Sequence, residues 1–384
     1  MIRLRSYQRE ALRTWLKNGR KGIIELPTGT GKTWLGLALL ERHYKNKRVV
    51  IIVPTEVLLK QWYQKILENT SIKRRSIGFL YGKEKNLRRK VIIGIINTAV
   101  KYADILAKRY DLFILDEVHH YFAPRWNSLL EKIKDKDVLG LSATAERSDK
   151  LHEKSYLKVI YTKSYDYMLR RKYVAKVDIK IVHTELTEKE STIYYELDEK
   201  IKEVAKKLDD AEFWGENYTA EKYRKILMIL ANKRRQLCSE SVTKPPVIAQ
   251  ILRKHRKDRV IVFTESKKTV EQLYRYLSRY KSFKCGVVHS GIKKRHRILE
   301  GWKRGEFNVL LTVRVLDEGI DVPECSVGVI VSNSLAKRQL VQRIGRIVRP
   351  RPRKVAKIYI VVSKYTFEER VARRLERLLR YYAY

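Results

Sequence analysis

The chain has 384 residues, 44% of them hydrophobic, which is enough apolar content for more than one core and excludes global disorder. Its 84 Lys plus Arg against 43 Asp plus Glu give a formal net charge of +41. The simplest account of that charge is a polyanionic partner, because each phosphate contact releases counterions.

In chain order, the start Met1-Ile2-Arg3-Leu4-Arg5 has no continuous apolar core and reads as no secretory signal. Ile23–Leu26, Val49–Val53, Val91–Ile96, Leu112–Leu115 and Val138–Leu141 are short apolar runs separated by helical patterns. They predict buried strands of a parallel sheet covered on both faces, with ligands bound beyond the carboxyl ends of the strands. None is long enough to span a bilayer, and no membrane partner is expected. The segment 165–245 breaks this rhythm. Thr187-Glu188-Lys189-Glu190 reads as a capping box opening a helix that carries Leu197, Ile201, Val204 and Leu208. A second helical stretch carries Ile226, Leu227, Ile229, Leu230 and Leu237, ending before Pro245-Pro246. Two readings stand for this pair: an ordinary connector, or a projection whose Lys233-Arg234-Arg235 face touches nucleic acid. A second strand series follows at Val260–Phe263, Gly286–His289, Val309–Thr312, Val327–Val331 and Ile358–Val362, and a last helix at about Thr366–Tyr384. The expected fold class is α/β, with two tandem parallel-sheet domains. Residues 1–164 would form the first, 165–245 a junction and helical connector, 246–365 the second, and 366–384 a closing helix.

Several strand ends carry chemistry. Pro27-Thr28-Gly29-Thr30-Gly31-Lys32-Thr33 follows a strand and opens an apolar helix. Its glycines let backbone N–H groups turn onto phosphate oxygens, Lys32 suits the β- and γ-phosphates, and the Thr33 hydroxyl suits Mg²⁺. Leu26 stands where the general phosphate-loop pattern has its first glycine. Asp116-Glu117-Val118-His119 follows another buried strand. Asp116 is placed to hold the Mg²⁺ shell and Glu117 to polarise an attacking water. His119 reads as a transmitter of nucleotide state. Ser142-Ala143-Thr144 also ends a strand, a position with no meaning of its own. Asp321 reads either as a ribose or phosphate-water contact or as a structural turn. In Gln342-Arg343-Ile344-Gly345-Arg346-Ile347-Val348-Arg349, the arginines at 346 and 349 share a helix face and could meet γ-phosphate charge. A basic face gripping nucleic acid competes with that reading. Cys238, Cys285 and Cys325 stand apart with no Cys-x-x-Cys pair, which argues against a structural zinc or an iron–sulfur cluster and fits a reducing compartment.

Taken together, these motifs resemble those of superfamily 2 helicases and translocases over nearly the whole chain. The likeness is strongest to the xeroderma pigmentosum group B type and phage UvsW-type DNA helicases. It implies two RecA-like domains, ATP and Mg²⁺ as cofactors, and an ATP site in the cleft between the domains. Leu4-Arg5-Ser6-Tyr7-Gln8 is similar to the family's adenine-recognising segment, which implies Gln8 and Arg5 as base contacts. Val53-Pro54-Thr55, Thr98 and Thr312 fall where the family contacts the nucleic-acid backbone, so Pro54, Thr55, Thr98 and Thr312 are implied contacts. Ser142, Ala143 and Thr144 correspond to the motif coupling hydrolysis to strand movement. Gly319 and Asp321 match a nucleotide-contacting element, and Gln342, Arg346 and Arg349 match the interdomain finger motif. Tyr173-Val174-Ala175 is similar to the domain junction. Ala145 replaces a usual proline. No damage-recognition domain is expected before Gln8, and no Arg-Glu-Asp motif is read in the chain. The resemblance therefore does not extend to strand opening by those parts, or to a place in a large transcription or repair assembly.

The expected function is an ATP-dependent DNA helicase or translocase, intracellular and monomeric on its track. Three rivals stay open on sequence. One is a motor for duplex translocation, branch migration or annealing without unwinding. Another is an RNA helicase. The third is a basic nucleic-acid-binding protein with a vestigial nucleotide site, against which Lys32, Thr33, Asp116, Glu117, Arg346 and Arg349 are all present.

Overall fold

The computed structural model describes residues 2–27, 29–143, 153, 155–173, 176–289, 291–292, 295–313, 325–331 and 355–373. These fall into two compact units, residues 2–173 and residues 176–373.

The first unit runs α1 (Ser6–Lys17), β1 (Lys21–Glu25), α2 (Lys32–His43), β2 (Val49–Val53), α3 (Glu56–Asn69), β3 (Ile77–Tyr81), β4 (Glu84–Lys85) and β5 (Val91–Ile95). It continues through α4 (Ile96–Ala99), α5 (Ala103–Arg109), β6 (Leu112–Asp116), α6 (Pro124–Lys132), β7 (Asp137–Ser142), β8 (Val159–Thr162) and α7 (Tyr165–Arg170). Its sheet has the order β4-β3-β5-β2-β6-β7-β1-β8, parallel throughout except for the short β3–β4 pair. Every residue of β2 is buried, as a strand covered on both faces requires. Alternate residues explain the two layers. Val49, Ile51 and Val53 pack with Tyr7, Leu35 and Trp62 on one face, whereas Val50 and Ile52 pack with Tyr110 and Leu129 on the other.

The second unit contains β9 (Lys176–Thr184), α8 (Glu188–Phe213), α9 (Asn217–Ser239), α10 (Lys244–Lys254), β10 (Val260–Thr264) and α11 (Lys267–Leu277). It ends with β11 (Cys285–Val288), α12 (Arg295–Arg304), β12 (Val309–Val313), β13 (Val327–Val331) and β14 (Val355–Ser363). The sheet order among described residues is β11-β12-β10-β13-β14-β9, all parallel. The expected α/β class with two parallel sheets is thus observed. The division falls nine residues or more beyond 164, because β9, within the segment read as a connector, pairs along its whole length with β14.

The α8–α9 pair is a hairpin turned at Gly215, whose φ of 73° suits glycine. The capping box forms as the sequence indicates: Glu190 N donates to Thr187 Oγ1 at 3.3 Å, and Thr187 N donates to Glu190 Oε2 at 2.9 Å. Arg234 does not join an exposed basic face. It pairs with Asp198 across the hairpin, and its guanidinium lies over the rings of Phe367 and Tyr194. The closing helix is described to residue 373, and its remainder lies outside the described residues.

Candidate nucleotide site

The sheet register brings three strand ends to one level. Glu25 at the end of β1 is paired with Ser142 of β7, and Leu141 of β7 with Asp116 of β6. The phosphate loop starts one residue beyond β1, where Leu26 N donates to Ser142 O at 3.0 Å. Gly29 and Gly31 have φ of 81° and 80°, left-handed values that L side chains seldom adopt, and Gly31 is the N-cap of α2. Successive N–H groups in such a turn form an anion-binding concavity at a helix N-terminus. The loop is braced from α1. Gln8 Nε2 donates to Thr30 O at 3.2 Å and Gly31 O at 3.1 Å, and its Oε1 accepts from Arg5 N at 2.8 Å. Tyr7 Oη also donates to Thr30 O, and Thr30 Oγ1 donates to Pro27 O at 2.6 Å. Gln8 therefore holds the loop backbone with both amide donors. Arg5 lies 5.4 Å from the Tyr173 ring and donates to Tyr173 O at 3.2 Å.

Lys32 opens α2, and its Nζ donates to Leu26 O at 3.0 Å, so the ammonium lies against the loop. Burial lowers its pKa from the ordinary lysine value, opposed by the charges of Glu117, Asp116 and Glu25. Those carboxylates are within its electrostatic reach. Thr33 follows in the first turn, partly exposed.

Asp116 is the last residue of β6 and is 7% exposed. Its Oδ2 accepts from Trp62 Nε1 at 2.8 Å and its Oδ1 from Glu117 N at 3.0 Å. Burial raises the Asp116 pKa above the usual carboxylate range, against the pull of Trp62, Lys32 and the Glu117 amide. Glu117 has φ of 49°, a left-handed conformation rare outside glycine and concentrated at functional sites. Buried His119 stands between two partners, with Nδ1 3.1 Å from Ser142 Oγ and 3.4 Å from Glu117 Oε2. A single imidazole nitrogen thus links the carboxylate that follows β6 to the hydroxyl that ends β7.

The structure brings together Gly29, Thr30, Gly31, Lys32, Thr33, Asp116, Glu117, His119 and Ser142, with Gln8 behind the loop and Ala143 just after β7. Pro54 and Thr55 follow β2, and the Thr55 hydroxyl caps α3 by accepting from Leu58 N at 3.4 Å. Thr98 lies on α4, beyond β5. Thr312 belongs to the second unit, where its hydroxyl is fully buried and donates to Val313 O at 2.9 Å. Thr28, Thr144, Gly319, Asp321, Gln342, Arg346 and Arg349 lie outside the described residues. Sequence reasoning gave Trp62, Tyr7 and Tyr173 no role of their own at this site, Tyr7 and Tyr173 standing only inside the adenine-segment and junction motifs.

Comparison with known proteins identifies the family. Residues 1–147 match the family described as type III restriction enzyme, res subunit, and residues 243–351 match the helicase conserved C-terminal domain. The chain is 32% identical to the DNA 3′-5′ translocase XPB2 of Sulfurisphaera tokodaii, over 97% of this chain and 84% of that protein. It is 28% identical to the DNA 3′-5′ helicase XPB of Kineococcus radiotolerans, over 98% of this chain but 62% of the relative. In fold it is similar to the Hef helicase domain of Pyrococcus furiosus, with a TM-score of 0.62 and 20% identity, covering 97% of this chain and 98% of that one.

Proposed function

Because the chain belongs to the XPB family of superfamily 2 DNA helicases and translocases, we propose that it is an ATP-dependent motor that moves on or remodels DNA, travelling 3′ to 5′. The observation that carries this reading is the shared strand-end level of the phosphate loop and the Asp116-Glu117 pair, with the Lys32 ammonium held against that loop. The two bonds from Gln8 to the loop carbonyls and the left-handed Glu117 beside Asp116 favour a working site over a vestigial one.

The residues present fit a Mg²⁺-nucleotide. Asp116 and Thr33 offer hard oxygen donors in small number, which suits an ion that keeps several waters and is held partly by phosphates. A divalent cation would also offset the desolvation that raises the Asp116 pKa. Bound there, Mg²⁺-ATP supplies a polarised γ-phosphate. Gly29 and Gly31 would cradle phosphate oxygens with their N–H groups, beside Thr30, whose own N–H donates to Pro27 O at 3.4 Å, and Lys32 would place its charge on the β- and γ-phosphates. Glu117 orients the attacking water and accepts its proton. His119 and Ser142 relay the state of that carboxylate to β7. Arg5 and Gln8 flank the base side of the loop. Arg346 and Arg349 would supply cationic charge for the developing γ-phosphate charge, with the neutral amide of Gln342 as a polar contact beside them; Gly319 and Asp321 would contact nucleotide, and Thr144 would extend the Ser142 relay. Pro54, Thr55 and Thr98 would follow the backbone of the DNA, whereas the Thr312 side chain, expected from sequence to join them, is fully buried with its hydroxyl donating to Val313 O.

Movement on duplex and strand opening are separable. With ATP, the chain should displace the third strand of a triplex placed along a duplex, and the Glu117→Gln variant should not. Equal release by wild type and variant, or release without ATP, would show that binding alone accounts for the interaction with DNA. A fork-unwinding assay beside it assigns helicase or pure translocase action.

A further inference from the structure

Trp62 is the one side chain that donates a hydrogen bond to Asp116 among the described contacts, and none of the roles above uses it. It is 1% exposed on α3. Its indole N–H meets Asp116 Oδ2 at 2.8 Å while the Glu117 amide meets Oδ1 at 3.0 Å, so each carboxylate oxygen is tied by one N–H. The ring is lodged between the phosphate-loop helix and the strand that carries Asp116. A Cβ added at Gly36 of α2 would lie 2.5 Å from Trp62 Cη2 and 3.2 Å from Ile114 Cγ2 of β6. Glycine inside a helix is otherwise an unfavourable choice. Here its missing side chain is the space the indole occupies. Packing alone would be served by any large apolar ring, whereas this one carries a donor directed at a carboxylate. Outer hydrogen bonds of this kind fix the orientation of a metal-binding group.

We infer that Trp62 is a positioning residue: its indole N–H, held in place by the bare backbone of Gly36, sets the rotation of the Asp116 carboxylate that receives Mg²⁺-nucleotide. This rests on the nucleotide-site reading above. Two variants separate the donor from the bulk. Trp62→Phe keeps an aromatic ring and removes the N–H. Gly36→Ala keeps the indole and displaces it.

The test is calorimetric titration of the full chain with ADP, in Mg²⁺ and in EDTA, with thermal unfolding of the nucleotide-free proteins alongside. Both variants should weaken ADP binding in Mg²⁺ by roughly 10-fold or more, the range for loss of such an outer partner, and leave ADP binding in EDTA at the wild-type value. Equal weakening in both media would reduce Trp62 to a packing residue and overturn the inference, as would wild-type affinity in Mg²⁺. If Trp62→Phe fails to fold, Gly36→Ala decides alone. A wild-type chain that binds ADP in neither medium would instead remove the nucleotide-site reading itself, an outcome distinct from failure of the variants.

Discussion

Glu117 and the pair Lys244–Glu368 show two ways in which single residues carry the cost of this fold. Glu117 is held at φ 49°, a strain of order 1–3 kcal/mol that the surrounding structure must over-determine. Lys244 and Glu368 are 1% and 0% exposed, with Nζ 2.7 Å from Oε2 and 3.0 Å from Oε1, and Ser363 N also donates to the carboxylate at 2.8 Å. They join the start of α10 to the first turn of the closing helix. Removing one partner leaves a buried charge uncompensated. Glu368→Leu should therefore destabilise the protein by about 3–5 kcal/mol, and the double change Lys244→Met/Glu368→Leu should recover most of that loss. Chemical denaturation of the three proteins measures both values, and a double change as damaging as the single one would refute this account. Neither residue was legible in the sequence, because an isolated Lys and an isolated Glu 124 positions apart carry no local pattern. The loop, Asp116 and Glu117 were legible, since their spacing relative to apolar strands is a local signal. Trp62 was not, because its donor has meaning only once β6 is beside α3.

Elements divided in the same way. All ten strands expected from continuous apolar runs are present as β1, β2, β5, β6, β7 and β10 to β14. Those missed are β3, β4, β8 and β9. Three of them are edge strands, exposed enough to mix polar residues into the run, as Lys176-Val177-Asp178-Ile179-Lys180 does in β9. The capping box of α8 was readable from four residues, but its wider role was not. Beyond Thr187 N, Glu190 accepts from Ser241 Oγ at 2.9 Å and Val242 N at 3.0 Å, so one carboxylate both starts α8 and ties it to the end of α9. Thr187→Ala should cost about 1 kcal/mol, the usual value for a lost cap. Glu190→Ala should cost distinctly more, since it leaves the Ser241 and Val242 donors without that acceptor. Matching losses in the two unfolding curves would mean that the ties to Ser241 and Val242 contribute nothing to stability.

At the scale of the whole molecule, +41 charge and two parallel sheets fit a protein that works along a polyanion, and the residues proposed to handle nucleotide collect at the strand ends of the first sheet. The chain spans 84% of its Sulfurisphaera relative and 62% of the Kineococcus one. The most direct measurement is the steady-state rate of ATP hydrolysis with and without DNA, for wild type, Lys32→Ala and Glu117→Gln. DNA should raise the wild-type rate, and both substitutions should abolish the stimulated rate, Glu117→Gln while still binding ATP. Stimulated hydrolysis that survives both changes would contradict the assignment of this site as the engine of a DNA motor.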